Sequence, residues 1–282
     1  MNTTAHPPLA NGRSRPVWPQ LAAPRRWQSV DVISDLHLHA GDMPTFSAWQ
    51  NYMATTPADA VFILGDLFEV WVGDDVLAAP SGRSLGFEAH CQQVLASAAQ
   101  RLSLYFMHGN RDFLLGDGYA HGACMTLLSD PTVLTFDAQG WLLTHGDALC
   151  LADADYQQFR ATVRTAAWRD EFLARPLTER HRIARSLRTQ SESIKAAGAP
   201  VAEIDRASAC DWLRAAGAGN LVHGHTHRPD DEQLDDALAD TSAPLHRWAL
   251  SDWDANARPP RLQVLRLSVA QQPRGITLPS GF

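Results

Sequence analysis

The sequence predicts an α/β fold, because short apolar segments typical of buried strands alternate with segments of helical periodicity in the first part of the chain. A second observation supports this: five polar clusters of Asp, His, Asn and Gly each follow an apolar segment directly or within a residue or two. Sheets of this class bind ligands beyond the carboxyl ends of their strands. Side chains far apart in the sequence are therefore expected to meet there.

Five segments are predicted to form buried strands, since they are continuous, rich in β-branched or aromatic residues, and closed by polar residues or glycine. They are Val30–Ser34, Ala60–Leu64, Leu102–Met107, Trp141–Thr144 and Asn220–His223. Two helices are predicted between the first three strands. Pro44–Thr55 begins with a proline, which suits a first helical turn, and Phe87–Arg101 carries apolar residues at a spacing of three to four.

The segment Asp155–Ala197 interrupts the alternation, because it is arginine-rich and largely helical in pattern. We predict that it forms a helical insertion, called the lid, at about residues 155–200. After it, an acidic loop is predicted at Asp230–Asp240, followed by two late strands. The late strands are Arg247–Leu250 and Leu262–Leu267.

The chain is long enough, at 282 residues, for one large domain or a domain with an insertion. Residues 1–27 contain five prolines among polar residues and lack the apolar core of a signal peptide, so a disordered extension without export is expected. The predicted organisation is this extension, a main domain at 28–270 that carries the lid, and a C-terminal tail at 271–282.

Composition excludes several classes of function. The net charge of −7 does not favour nucleic acid as a partner. The four cysteines lie far apart and form no CxxC pair, which argues against a disulfide framework or a cysteine zinc site. No run of about 18 apolar residues is present to span a membrane. No protein partner is predicted.

The five polar clusters indicate a two-metal hydrolytic centre. They are Asp35-Leu36-His37, Gly65-Asp66, Gly109-Asn110-Arg111-Asp112, His145-Gly146-Asp147 and Gly224-His225-Thr226-His227. A single DxH or Gly-Asp pair is usually only the polar end of a loop, and Gly-His-x-His is a stronger signal. The five together supply the mixed oxygen and nitrogen ligands that such a centre needs.

Each candidate ligand has a role that its position suggests. Asp35 and His37, at alternate positions leaving a strand, are expected to point the same way and bind one ion. Asp66 follows a glycine that permits close approach, so it is the candidate bridging carboxylate. The other candidates supply an amide oxygen or an imidazole nitrogen: Asn110, His145, His225 and His227. His223 is predicted to be a packed histidine rather than a ligand.

The order DxH, GD, GN-x-D, HGD, GHxH resembles the calcineurin-like metallophosphoesterases, whose fold is a β-sandwich flanked by helices in α-β-β-α layers. The similarity is closer still to one branch, the UDP-2,3-diacylglucosamine pyrophosphatases of lipid A biosynthesis, and extends from about Val30 to Trp253. Four long stretches carry it: Ser34–Leu38, Ile63–Asp75, His108–Gly116 and His223–Pro229.

The resemblance implies a hydrolase that cleaves the diphosphate of UDP-2,3-diacylglucosamine, giving UMP and 2,3-diacylglucosamine 1-phosphate, which is lipid X. Two divalent ions, expected to be Mn²⁺, would serve the attack of water on the α-phosphorus. Carried over by position, one ion would be bound by Asp35, His37, Asp66 and His227, and the other by Asp66, Asn110, His145 and His225.

Further roles follow from the same resemblance. Arg111 stands where most members of the wider family have histidine, and with His225 it is expected to stabilise the transition state as a catalytic residue. The alternative is a structural Arg111 that only pairs with Asp112 or Glu69. The residues expected to bind the substrate are Asn110, Arg111, Asp153, Ser191, Lys195 and His225. Lys195 departs from the family pattern, because it stands where the family has a lid asparagine, and the family's lysine falls within Ala196–Pro200.

The resemblance also implies a cytoplasmic protein bound peripherally to the cytoplasmic face of the inner membrane, where lid arginines could attract anionic lipids. Two alternatives stay open. One is a metallophosphoesterase acting on another substrate: a phosphoprotein, a cyclic nucleotide or a soluble nucleotide diphosphate. The other is a scaffold without metals that binds partners, although all seven ligand positions carry side chains able to bind a metal.

Overall fold

The structure is a computed structural model that describes residues 17–78, 86–196, 203–234 and 244–279, except for the side chains of 190–196. Within these residues the chain forms twelve strands and seven α-helices. The strands are β1 (Gln20–Ala22), β2 (Ser29–Ile33), β3 (Ala60–Leu64), β4 (Ser103–Met107), β5 (Met125–Leu128), β6 (Thr132–Phe136), β7 (Gln139–Thr144), β8 (Asn220–His223), β9 (Asp230–Leu234), β10 (Leu245–Ala249), β11 (Gln263–Ser268) and β12 (Arg274–Thr277).

Several of the helices begin at a residue whose side chain caps the first turn. The Asp42 carboxylate accepts a hydrogen bond from the Thr45 amide at the start of the first helix, and Asp205 caps the last one in the same way through Ser208. The helices are α1 (Met43–Thr55), α2 (Phe87–Ala98), α3 (Asp117–Gly122), α4 (Ala154–Val163), α5 (Ala166–Leu173), α6 (Leu177–Ala196) and α7 (Arg206–Ala216).

Two six-stranded sheets pack face to face. One has the order β1-β6-β7-β8-β10-β9 and the other the order β12-β11-β2-β3-β4-β5. Val32, Phe62 and Leu143 belong to the apolar core between the sheets. Successive side chains of a strand point to opposite faces of the sheet. Ile33, next to Val32, therefore lies on the other face, in a second apolar core between the sheet and helices α1 and α2. A third core joins β8 to α7, and the four layers are therefore α-β-β-α, as expected.

The five predicted strands are confirmed, with ends that differ by no more than two residues. They are continuous in apolar character because both of their faces are buried. The predicted helix Pro44–Thr55 is confirmed as α1. The predicted helix Phe87–Arg101 is confirmed as α2, but it ends three residues earlier, at Ala98.

Several segments depart from the predictions. Disorder is wrong for Gln20–Ala22, which form β1 against β6, and Trp18 and Trp27 beside it are buried. The C-terminal tail contains β12, which pairs with β11. The acidic loop is wrong for Asp230–Leu234, which form the edge strand β9. Charged residues are tolerated there because an edge strand has one open side. The rest of that loop, 235–240, and residues 1–16 lie outside the described residues.

The lid comprises α4, α5 and α6 and is docked on the core by two arginines. Arg180 of α6 is almost fully buried; it donates to the Val72 carbonyl and forms a two-point ion pair with Asp75. Arg160 of α4 forms ion pairs with Asp130 and Asp147 of the core. Over the described part of the chain, no helix has the length and apolar character needed to cross a bilayer.

Candidate metal centre

The seven candidate ligands all follow the carboxyl ends of parallel strands. They come after β2, β3 and β4 in one sheet and after β7 and β8 in the other, and both sets of strands run parallel. Because the two sheets pack against each other, their strand ends meet at one edge of the sandwich. The distances between the side chains show that the clusters converge there.

Asp35, His37 and His227 form one group whose ligand atoms lie within 4.8 Å of one another. His37 Nε2 is 3.2 Å from His227 Nε2, and Asp35 Oδ1 is 3.2 Å from the same His227 nitrogen. Ser34 Oγ and the His225 amide donate to the other Asp35 oxygen at 2.6 and 2.9 Å. Asp35 Oδ1 itself is buried and accepts no hydrogen bond. Such an atom, facing two imidazole nitrogens, fits a cation.

Asp66 lies between two histidines. Its Oδ2 is 3.9 Å from His37 Nε2, while its Oδ1 is 3.9 Å from His145 Nε2. Asp35, Asp66 and His145 also form a second group whose ligand atoms lie within 4.8 Å. The Asp66 carboxylate therefore faces both halves of the centre.

Asn110 joins the last two histidines to the cluster. Its Oδ1 is 2.9 Å from His145 Nε2 and 2.8 Å from His225 Nδ1. The opposite nitrogen of His145, Nδ1, is 2.8 Å from the Leu64 carbonyl oxygen. A hydrogen at Nδ1 donating to that carbonyl leaves the Nε2 lone pair directed into the centre. All seven predicted ligands are thus brought together.

Five of the seven ligand residues have a left-handed backbone conformation. They are Asp35, His37, Asp66, His225 and His227, with φ between 49° and 66°. Residues other than glycine rarely adopt this region, and such strain gathers at functional sites. The expectation that Asp35 and His37 leave a strand in extended alternation is therefore wrong. Both lie beyond β2 and are directed by this turn geometry.

Two glycines allow the clusters to approach one another. A Cβ on Gly109 would lie 2.0 Å from Asp66 Oδ1, and a Cβ on Gly65, whose φ is +87°, would lie 2.5 Å from the Gly109 backbone. Neither position has room for a side chain. The glycine before Asp66 thus has the role that the sequence suggested, and Gly109 has a matching one.

The histidines of the centre differ in pKa. Burial lowers the pKa of His145, but Asp66 and Asp35 outweigh it and raise the pKa to about 9. Burial, helped by the neighbouring His145, lowers the pKa of His225 to about 3. For Asp35, burial opposes ionisation, yet His227 and the other histidines hold the pKa of the carboxyl well below its usual range. A cation could therefore replace protons among these ligands.

His223 is fully buried beside the centre, and burial lowers its pKa to about 4, which suits the packed histidine expected from the sequence. Three carboxylates that are not candidate ligands support the centre. Asp112 is buried and accepts from the backbone amides of Leu67 and Gly109 at 2.7 and 2.9 Å, which fixes the loop of Asp66. Glu69 and Asp252 lie beside His37 and His227.

The lid contacts the centre through Tyr156. Its ring stacks on His225 with centroids 6.0 Å apart, and its hydroxyl donates to Asp147 Oδ2 at 2.5 Å. Arg160 pairs with the same Asp147 oxygen at 2.8 Å, and Arg164 donates to the Gly109 carbonyl at 2.8 Å. The insertion thus rests directly on the loops that carry three of the clusters.

The predicted substrate residues are placed differently. Arg111 is partly buried beside the cluster, and its nearest guanidinium nitrogen is 3.8 Å from Glu69. Asp153 is exposed at the start of α4, where it accepts from the Tyr156 amide at 2.9 Å and caps the helix. Ser191 and Lys195 belong to α6, but their side chains lie outside the described residues.

Comparison with known proteins identifies the family. The calcineurin-like phosphoesterase family model matches residues 29–229. The UDP-2,3-diacylglucosamine hydrolase of Chromobacterium violaceum is 42% identical over 239 residues, which cover 80% of this chain and 90% of the relative. The protein of that name from Ralstonia nicotianae is 43% identical, over 84% and 88% of the two chains. That from Chromohalobacter salexigens is 38% identical, over 86% and 94%. The chain therefore belongs to the calcineurin-like phosphoesterase family.

Proposed function

We propose that this protein is a UDP-2,3-diacylglucosamine hydrolase that cleaves the substrate diphosphate to UMP and lipid X with the help of two divalent ions. The observation that carries the proposal is the convergence of seven ligand side chains at one edge of the sandwich, under a helical insertion. The relatives of that name, 38–43% identical over at least 80% of this chain, support the choice of substrate.

The ligands divide into two sets that share Asp66. One ion would be held by Asp35, His37, Asp66 and His227, and the other by Asp66, Asn110, His145 and His225. The two Asp66 oxygens support this division, since they lie near histidines of different sets. The donor set mixes carboxylate and amide oxygens with imidazole nitrogens, which suits Mn²⁺ among the divalent ions.

When bound, the pair of ions supplies an activated water and stabilises the negative charge that develops on the attacked α-phosphoryl group. The chain itself binds and orients the diphosphate. Arg111 offers a planar guanidinium beside the cluster, suited to two phosphoryl oxygens. Asn110 and His225 present their polar atoms at the same place, so they would contact the phosphoryl group as well as a metal. Asp153, Ser191 and Lys195 would contact the sugar and its substituents from the lid.

The lid also presents apolar side chains. Four residues on or next to it remain partly exposed: Leu151, Phe159, Leu173 and Leu187. Acyl chains need an apolar surface, and anionic head groups would be attracted by the arginines of α5 and α6. We therefore propose that the protein acts peripherally at the cytoplasmic face of the inner membrane. Binding to anionic but not to neutral vesicles tests that location.

Product analysis in ¹⁸O-labelled water tests the reaction. The metal-free protein, with and without Mn²⁺, is incubated with UDP-2,3-diacylglucosamine and with UDP-N-acetylglucosamine. The expected result is Mn²⁺-dependent formation of UMP and lipid X from the acylated substrate, with the label in UMP, because water attacks the α-phosphorus. Label in lipid X would contradict that site of attack. A preference for the non-acylated sugar would contradict the lipid substrate.

A further inference from the structure

Glu69 is a carboxylate beside the centre that none of the seven ligand positions includes. Its backbone amide donates to the Leu38 carbonyl at 3.2 Å, which holds it next to the loop of His37. Its side chain is largely buried, with 13% of its surface exposed. A charge withdrawn this far from water needs compensating partners, and Glu69 has three of them.

One oxygen of Glu69 faces a candidate metal ligand. Oε2 is 3.1 Å from His37 Nδ1, although the two groups are not aligned as in a standard hydrogen bond. The other nitrogen of the ring, Nε2, faces His227 at 3.2 Å. A carboxylate next to Nδ1 favours the hydrogen at that nitrogen, which leaves the Nε2 lone pair for a cation and fixes the ring orientation.

The other oxygen faces two guanidinium groups from different parts of the fold. Oε1 is 3.2 Å from a guanidinium nitrogen of Arg188, on lid helix α6, and 3.8 Å from that of Arg111, on the core. Two like charges are held on one side of the centre because a single carboxylate lies between them. A diphosphate arriving at that place would meet both guanidinium groups already gathered.

We propose that Glu69 is a positioning residue: one oxygen orients His37 toward the metals, and the other gathers Arg111 and Arg188 to receive the diphosphate. The proposal rests on the proposed function, because it takes His37 as a ligand and a diphosphate as the substrate. It adds Arg188 to the groups that contact the substrate. It also gives Glu69 two separable effects, one on metal affinity and one on substrate binding.

Three substitutions of Glu69 separate these effects. In Glu69→Ala both contacts are lost, so the affinity of one Mn²⁺ site should fall about 10- to 100-fold, as for other groups that orient a metal ligand. In Glu69→Gln an amide oxygen can still face His37 Nδ1, but the charge between the arginines is gone. Mn²⁺ affinity should then stay within about threefold of wild type while KM rises about tenfold. Glu69→Asp retains the charge, so its KM should lie between those of Glu69→Gln and the wild type.

The measurements are calorimetric titration of the metal-free protein with Mn²⁺, and steady-state kinetics at saturating Mn²⁺. Arg188→Ala should raise KM without changing Mn²⁺ affinity, and it should add little to Glu69→Gln, because both remove the same interaction. The matched control is Glu232→Gln, which removes a carboxylate that also pairs with two arginines, Arg206 and Arg247, rather than with a candidate ligand. It should change neither quantity.

The outcomes separate this inference from the proposed function. Mn²⁺ affinity within twofold of wild type in folded Glu69→Ala, or an unchanged KM in both Glu69→Gln and Arg188→Ala, would overturn the role given to Glu69. Wild-type protein that binds two Mn²⁺ and turns over the substrate would still uphold the proposed function in that case. Wild-type protein that binds no Mn²⁺ would overturn both.

Discussion

His37 and His227 face each other with their Nε2 atoms 3.2 Å apart, although 190 residues separate them in the chain. Two imidazole nitrogens at this distance can share a proton or a cation. The loops that carry them are tied through Asp35, whose carbonyl accepts from the Trp253 amide and whose carboxylate accepts from the His225 amide. These hydrogen bonds hold the two loops together without any contribution from an ion.

Loss of a shared ligand should abolish activity. Asp66→Ala removes the carboxylate that faces both histidine sets, and His225→Ala removes one ligand and its contact to Asn110. We expect kcat to fall by at least about 10³-fold in each, or about 4 kcal/mol of transition-state stabilisation. His246→Ala, which alters a partly exposed histidine paired with Asp231 on β9, should be active. Substantial turnover by either ligand variant at saturating Mn²⁺ would argue strongly against the proposed centre.

The close approach of Gly109 to Asp66 yields a sharper test, because no ligand atom is removed. In Gly109→Ala the new Cβ would lie 2.0 Å from Asp66 Oδ1 and must displace the carboxylate. We expect weaker Mn²⁺ binding and at least about 100-fold lower kcat, since misplacement by about 1 Å costs that much in other enzymes. Gly219→Ala is the control, because a Cβ there meets nothing within 4 Å. Equal activity of the two variants would show that catalysis does not need the close contact between Gly109 and the Asp66 carboxylate.

Much of this fold could be predicted because its central strands are buried on both faces. Ala60–Leu64 is apolar at every position, since neither face tolerates a polar residue, and its predicted bounds are those of β3. The edge strand β9 cannot be predicted, for the opposite reason. Asp230–Leu234 is mostly polar, and its strand conformation comes from pairing with β10 rather than from its own pattern.

The candidate site also contains residues that could be predicted from the sequence and residues that could not. The seven ligands could be found because each lies in a short cluster directly after a strand. The supporting roles of Glu69, Asp112 and Asp252 could not, although Asp112 belongs to one of the clusters, because contacts with remote loops set the role of an acidic residue near a metal site. The contact from Tyr156 to His225, 69 positions further along the chain, shows the same limit. Local sequence shows which side chains could bind a metal, and tertiary contacts decide how each is oriented.

Metal binding should depend steeply on pH. In the metal-free protein the pKa of His145 is raised to about 9, because the carboxylates of Asp66 and Asp35 outweigh burial. The pKa of His37 is raised as well, by Glu69 and the same carboxylates against the effect of burial. His145 therefore carries a proton at neutral pH, His37 keeps its proton to a higher pH than a free imidazole, and each ring must lose one to bind a cation.

Mn²⁺ affinity should accordingly rise by about tenfold per pH unit for each proton released, as the pH increases toward the pKa of His145. Calorimetric titrations with Mn²⁺ near neutral pH, in two buffers with different ionisation enthalpies, measure directly how many protons are released when the cation binds. The observed enthalpy should differ between the buffers. An identical enthalpy in both, with affinity independent of pH, would show that neither ring carries a proton that the cation displaces.

The lid should depend on Arg160 for stability more than on its exposed ion pairs. Arg160 lies between the buried carboxylates of Asp147 and Asp130, at 2.8 and 3.5 Å. Arg160→Ala would leave both acids buried without their main counter-charge, and loss of one partner of such a group costs about 3–5 kcal/mol. Thermal unfolding of the metal-free protein should therefore show a clearly lower Tm. Arg175→Ala, which removes exposed pairs with Glu171 and Glu179 on the same lid, should leave Tm nearly unchanged because solvent screens them. If Arg160→Ala had the same Tm as the wild type and Arg175→Ala, the ion pairs of Arg160 with Asp147 and Asp130 would not be what anchors α4 to the core.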